Sequence, residues 1–184
     1  MRLLFLLILF LFSSSTVHAN EVDTDAWIKF YDVANVSVKS EKTIFSWSKV
    51  EVYSSSKSES DLIMKYVEES MIAARAYFSS SSVKRCDSKE LRVFFIKDKT
   101  LNDQNLMTFL AWDQWARLDI NGAYEGVYSP GRTGSIFLSK TPSGKSVRKL
   151  VAHEIAHYWQ DQHCGLRNSE ITAREFEEHF VKLR

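Results

Sequence analysis

Two histidines four residues apart, His153 and His157, with Glu154 directly after the first, are the residues of this chain best suited to chemistry. On a helix, positions i and i+4 lie nearly above one another, so both imidazoles can bind one metal ion. Imidazole nitrogens suit zinc, Zn2+. The Glu154 carboxylate can then reach a water held at that metal and act as its general base. Ile155, Ala156, Tyr158 and Trp159, between and just after the histidines, are uncharged, as a helix buried beside a cleft requires.

A catalytic zinc takes three protein ligands and keeps one position for water. Asp161 continues the histidine stripe, but a straight helix carries it roughly 6 Å further along, so it is open only to an outer role. His163 follows His157 by six residues. Nothing in residues 158–162 breaks a helix, and on a continuing helix His163 points away from the ion. Glu170, thirteen residues after His157, opens a last helical segment. An acid is favoured there by the helix dipole in any case. Ala173, one turn on, is small enough to let two helices approach closely. Glu170, Ala173 and Glu177 share a face, with Phe176 and Phe180 beside it. Glu170 is the expected third ligand, with His163 and then Glu177 as alternatives.

His153-Glu-Ile-Ala-His157 followed by Glu170-Ile-Thr-Ala173 resembles the gluzincin zinc peptidases, in particular the compact peptidase MA group. There a ligand glutamate followed three residues later by alanine opens the second helix. The metzincin pattern, with a third histidine, fits less well: Gln160 stands at its helix-breaking glycine, and no methionine follows Cys164. The resemblance covers about residues 49–184 and implies a zincin-like α+β fold. It also implies bound zinc, a peptide or protein substrate, and peptide-bond hydrolysis with Glu154 as general base. In such enzymes an edge strand binds the substrate through its backbone. Residues 122–128 are the matching stretch, which makes Gly126, Val127 and Tyr128 the expected substrate-binding positions. Gluzincins commonly take an oxyanion-stabilising His, Tyr or Arg from beyond the second helix. This sequence ends at Arg184, so that group is expected either upstream, with Tyr124 or Tyr128 as candidates, or from a partner, or it is absent. A catalytically weak zinc- and peptide-binding module of the cell envelope, or an amidase of cell-wall peptides, would use the same residues.

The surrounding pattern supplies elements to hold such a site. Val33, Val36 and Val38, then Ile44, Phe45 and Trp47, suggest two short strands. Residues 49–53 alternate as a strand should, with Val50 and Val52 on one face. After a serine-rich turn, Ser58 or Ser60 can cap a helix over residues 61–78. Residues 91–96 read as a buried strand, and residues 103–115 as a second helical stretch with Leu106, Phe109 and Leu110 as its apolar face. Residues 122–140 read as a hairpin with strands 123–128 and 136–138 and a turn over 129–134. Ser143 or Ser146 can cap the metal helix, which runs to about Gln162 with Gly165 as terminator. Asn168 or Ser169 caps a final helix running almost to Arg184. The order predicts an α+β layout: a small mixed sheet, a long backing helix, the metal helix and a C-terminal helix.

Residues 1–19 read as a secretory signal peptide: Arg2, ten apolar residues at 3–12, then serines and Val17-His18-Ala19 before Asn20. A membrane span needs roughly 20 apolar residues, so no stable insertion is expected after cleavage. The expected location is secreted or periplasmic. Residues 20–48 are left as an N-terminal extension of unclear role, and residues 49–184 as the peptidase-like domain. The net charge of +1 argues against a nucleic-acid surface. Cys86 and Cys164 predict a disulfide in an oxidising compartment, with metal ligation by Cys164 as the alternative.

Overall fold

The computed structural model describes residues 36–78, 90–96, 126–129, 134–139, 146–162 and 166–183. The signal peptide, the helical stretch at 103–115, Tyr124, His163, Cys86 and Cys164 lie outside the described residues.

Strand β1 (Val38–Phe45) turns back through Ser46 and Trp47 into β2 (Ser48–Ser54), pairing antiparallel from Val38 opposite Ser54. Val33 falls outside the described residues, while Val38, Ile44 and Phe45, expected in two short strands, lie on one strand of eight residues. Its middle, Lys39 to Thr43, is polar because β1 lies at the sheet margin, and the backbone ladder with β2 carries the strand through residues of weak apolar pattern. The sheet thus begins upstream of residue 49.

Helix α1 (Lys57–Phe78) follows. It starts four residues before the expected Asp61 because Ser56, not Ser58 or Ser60, receives the first turn. Its Oγ accepts from the Glu59 N–H at 3.3 Å and its carbonyl from Ser60 at 3.0 Å. Strand β3 (Leu91–Ile96) then lies parallel to β2 and to β5 (Gly134–Ser139), while β4 (Gly126–Ser129) runs antiparallel to β5. Both hairpin strands take residues that the sequence pattern put in the turn. Helices α2 (Val147–Gln162) and α3 (Glu170–Lys182) complete the described elements.

The result is a mixed α/β fold: a five-stranded mixed sheet in the order β1-β2-β3-β5-β4, with three helices among the described residues. One sheet face (Val50, Val52, Leu91, Val93, Phe95, Ile136, Leu138) packs into a single core with Val67 and Met71 of α1, Ile155 of α2 and Phe176 of α3. The other carries a ladder of Tyr53, Phe94 and Phe137, stacked at 5.1 Å per step. Phe94 and Phe137 are fully buried, so the central strands are covered on both faces, which explains the unbroken apolar run of β3.

Candidate metal centre

Helix α2 begins at Ser146, whose carbonyl and Oγ accept from the Lys149 N–H at 2.9 and 3.3 Å. Between Leu150 and Gln160 every side chain except His153 is buried, because α2 lies between the hairpin, α1 and α3. Trp159 packs edge-on against Trp47 at 5.8 Å and stacks with Phe78 at 6.5 Å, which fixes the rotation of α2 about its axis. Arg148 ties its first turn to Glu69 of α1 at 3.0 Å and lies over the Phe180 ring of α3 at 4.0 Å.

That rotation turns His153 and His157 toward the start of α3. Their Nε2 atoms are 3.3 Å apart. Glu170 closes the triangle, with Oε2 3.2 Å from His153 Nε2 and Oε1 3.2 Å from His157 Nε2. The far ring nitrogens face outward. His157 Nδ1 meets Asn168 Oδ1 at 2.8 Å, and His153 Nδ1 lies 3.4 Å from Glu177 Oε2, an ion-pair distance rather than a well-aligned hydrogen bond. An amide oxygen only accepts, so a neutral His157 carries its proton on Nδ1. Both Nε2 atoms and a carboxylate converge on one point. The His153, His157 and Glu170 group could hold a metal ion. The Glu170 side chain is 67% exposed, so solvent reaches the site from its side.

The chain matches no family model, no curated protein and no solved structure among those compared.

The electrostatics of the two rings differ. Burial pushes the His153 imidazole down, but the Glu177, Glu154 and Glu170 carboxylates outweigh it and leave its pKa above the ordinary value. Burial, reinforced by the facing His153, holds His157 below its ordinary value.

The remaining expected residues fall around this centre. Glu154 is buried beside the edge strand: a Cβ on Gly126 would come within 2.7 Å of its Oε1. Only glycine lets the β4 backbone lie against that carboxylate. Gly126 and Tyr128 face α2, while Val127, opposite Phe137, points to the other side of the sheet by strand alternation. The Tyr128 hydroxyl donates to Asp161 at 2.7 Å, and burial, with Asp161 beside it, raises its pKa far above the usual phenol range. Its proton is thus directed at Asp161. Asp161 stands outside the donor triangle, as its helix position requires, and Glu177 sits on the outer nitrogen of His153 rather than at the centre.

Two residues escaped the sequence reading in these roles. Of the two expected caps, Asn168 and Ser169, it is Ser169 that caps α3, accepting from Thr172 N–H, while Asn168 bonds His157, a role not expected of it. Gln160 was noted only for not being glycine. It is 2% exposed, and its side chain is bonded to Ser169. One signal was available: an amide directly after Tyr158 and Trp159 on a buried helix must find partners.

Proposed function

We propose that this protein is an exported zinc-dependent metallopeptidase of gluzincin type, built on a zincin-like fold. The observation that carries the reading is the triangle of His153 Nε2, His157 Nε2 and Glu170, with donor separations of 3.2–3.3 Å. One donor atom from each of the three residues lies within 4.8 Å of the others, close enough for all three to meet on one ion. Two imidazoles and one carboxylate are also the donor set of hydrolytic zinc sites that leave a position open.

Zinc held by these three residues supplies a Lewis acid that brings the pKa of water toward neutrality and polarises a carbonyl. Glu154 takes the proton of the attacking water and returns it to the departing amine. Asn168 holds His157 in the tautomer that leaves Nε2 free to ligate, and the Glu177 carboxylate lies against the outer nitrogen of His153. The β4 backbone lies against Glu154, so a peptide added along that edge would bring its carbonyls to the general base. The two sheet margins differ in a way that supports this. β1 carries Lys39, Glu41 and Lys42, charges that discourage strand addition, whereas Gly126, Val127, Tyr128 and Ser129 carry none.

The test is zinc content of the purified protein together with cleavage of fluorescein-labelled casein, with and without 1,10-phenanthroline. Zinc near one equivalent and chelator-sensitive cleavage are expected. Zinc without cleavage would replace the peptidase reading with that of a zinc- and peptide-binding module of the cell envelope. The engagement of the Tyr128 hydroxyl by Asp161, which diverts it from an oxyanion, is the observation that favours this second reading.

A further inference from the structure

Helix α2 grips three consecutive residues of the segment that leads into α3. His157 takes Asn168, Gln160 takes Ser169, and the two histidine Nε2 atoms face Glu170. Positions 157 and 160 are one turn apart on the same face of α2, so these contacts form a row along it.

The middle contact is the most completely bonded. The Ser169 N–H donates to Gln160 Oε1 at 3.1 Å, and the Gln160 amide nitrogen approaches the Ser169 carbonyl at 3.5 Å. An N–H only donates, so the Gln160 oxygen must face it, and the side chain binds one residue's backbone as a neighbouring strand would. Ser169 is at the same time the N-cap of α3. Its Oγ accepts from the Thr172 N–H at 3.4 Å and its carbonyl from the Ala173 N–H at 3.0 Å. Gln160 therefore holds the residue that sets where α3 begins and which way its first side chain, Glu170, points. Glu170 itself is mostly exposed and has little packing of its own to aim it.

We infer that Gln160 is the positioning residue for the third metal ligand: its side chain fixes Ser169 and, through it, the Glu170 carboxylate opposite the two imidazoles. The inference rests on the reading of His153, His157 and Glu170 as ligands, but not on peptidase activity.

The test is zinc affinity, measured on the full chain by competition with a chromophoric chelator, with Zn2+ as the only ligand added. Gln160→Met keeps the volume and removes both hydrogen bonds, and its zinc Kd should rise at least about tenfold, the usual effect of losing an outer partner of a ligand. Gln160→Glu keeps the acceptor for the Ser169 N–H and should recover most of that loss. In a Glu170→Ala background, Gln160→Met should change Kd by less than about threefold, because the group it aims is gone. A folded Gln160→Met with wild-type affinity overturns the inference, as does a full additional loss in the Glu170→Ala background. Should Gln160→Met fail to fold, Gln160→Asn, one methylene too short to reach Ser169, replaces it; equal affinity for the Asn and Glu variants then overturns the inference. A wild-type chain that binds no zinc overturns the ligand reading itself, and the inference with it.

Discussion

Tyr128 and Asp161 join the edge strand β4 to helix α2 through a 2.7 Å hydrogen bond, one helical turn beyond His157. Tyr128 also packs edge-on against Tyr158 at 6.1 Å, and a Cβ on Gly134 would come within 3.3 Å of the Tyr128 hydroxyl. The joint is closely packed and partly buried, so the bond contributes more than a fully exposed one. Tyr128→Phe should lower unfolding free energy by about 1–3 kcal/mol in urea denaturation, the range for a hydrogen bond to a charged acceptor. Asp161→Asn, which still accepts, should cost less than Asp161→Ala. The combined Tyr128→Phe and Asp161→Ala change should cost less than the sum of the two.

Glu154 and Gly126 make a second test of the strand–helix contact. Glu154→Gln should keep zinc and lower casein cleavage by about 10²–10⁴-fold, the usual contribution of a general base. Gly126→Ala should also keep zinc, since it touches no donor atom. Its methyl group would meet Glu154 Oε1 at 2.7 Å and displace the carboxylate. A displacement near 1 Å is enough for about a hundredfold loss of kcat. Gly126→Ala with wild-type kcat would show that the strand does not set the position of the base.

Zinc titration of single variants should separate ligands from the groups that orient them. Glu170→Ala removes a donor and should lose affinity most. Asn168→Ala and Glu177→Ala leave all three donors and should weaken zinc about 10–100-fold. If Glu177→Ala lost more than Glu170→Ala, the third ligand would be Glu177.

Away from the site, Glu51 gives a prediction about acid. Burial raises its carboxyl pKa, but hydrogen bonds from Tyr53, Lys39 and Lys49 outweigh burial and hold it at about 2. The folded pKa is depressed, so the associated stability is present above the ordinary 4.5 and is lost as pH falls toward about 2. The urea midpoint should decline across that window. Glu51→Gln should flatten the decline while lowering stability at neutral pH.

The parts of this structure legible in the sequence are those written in short spacings. His153, Glu154 and His157 lie within five residues of one helix, and the 3.6-residue repeat places them together without reference to anything else. Glu170 was legible for a related reason: an acid at a helix start with a small residue, Ala173, one turn later implies close helix packing. Roles that depend on which segments meet were not legible. Asn168 and Ser169 are both good caps, and only the approach of the loop to α2 decides that Ser169 caps while Asn168 bonds His157. The Gly126–Glu154 contact is likewise invisible until β4 is laid beside α2. β1 was blurred because a marginal strand faces water and carries charge, which hides the alternation that marks buried strands.

The three donor atoms and the Asn168 and Gln160 partners all lie within residues 153–170, a segment of eighteen residues. Closing so short a loop costs little chain entropy, and contacts this local form early. If the site takes zinc as proposed, the α2–α3 hairpin can gather the ion before the parallel strands β2, β3 and β5, which are far apart in sequence, have found one another. Zinc would then act as a nucleus for folding as well as a cofactor, and refolding of the unfolded chain should run faster with the ion present than when it is added afterwards.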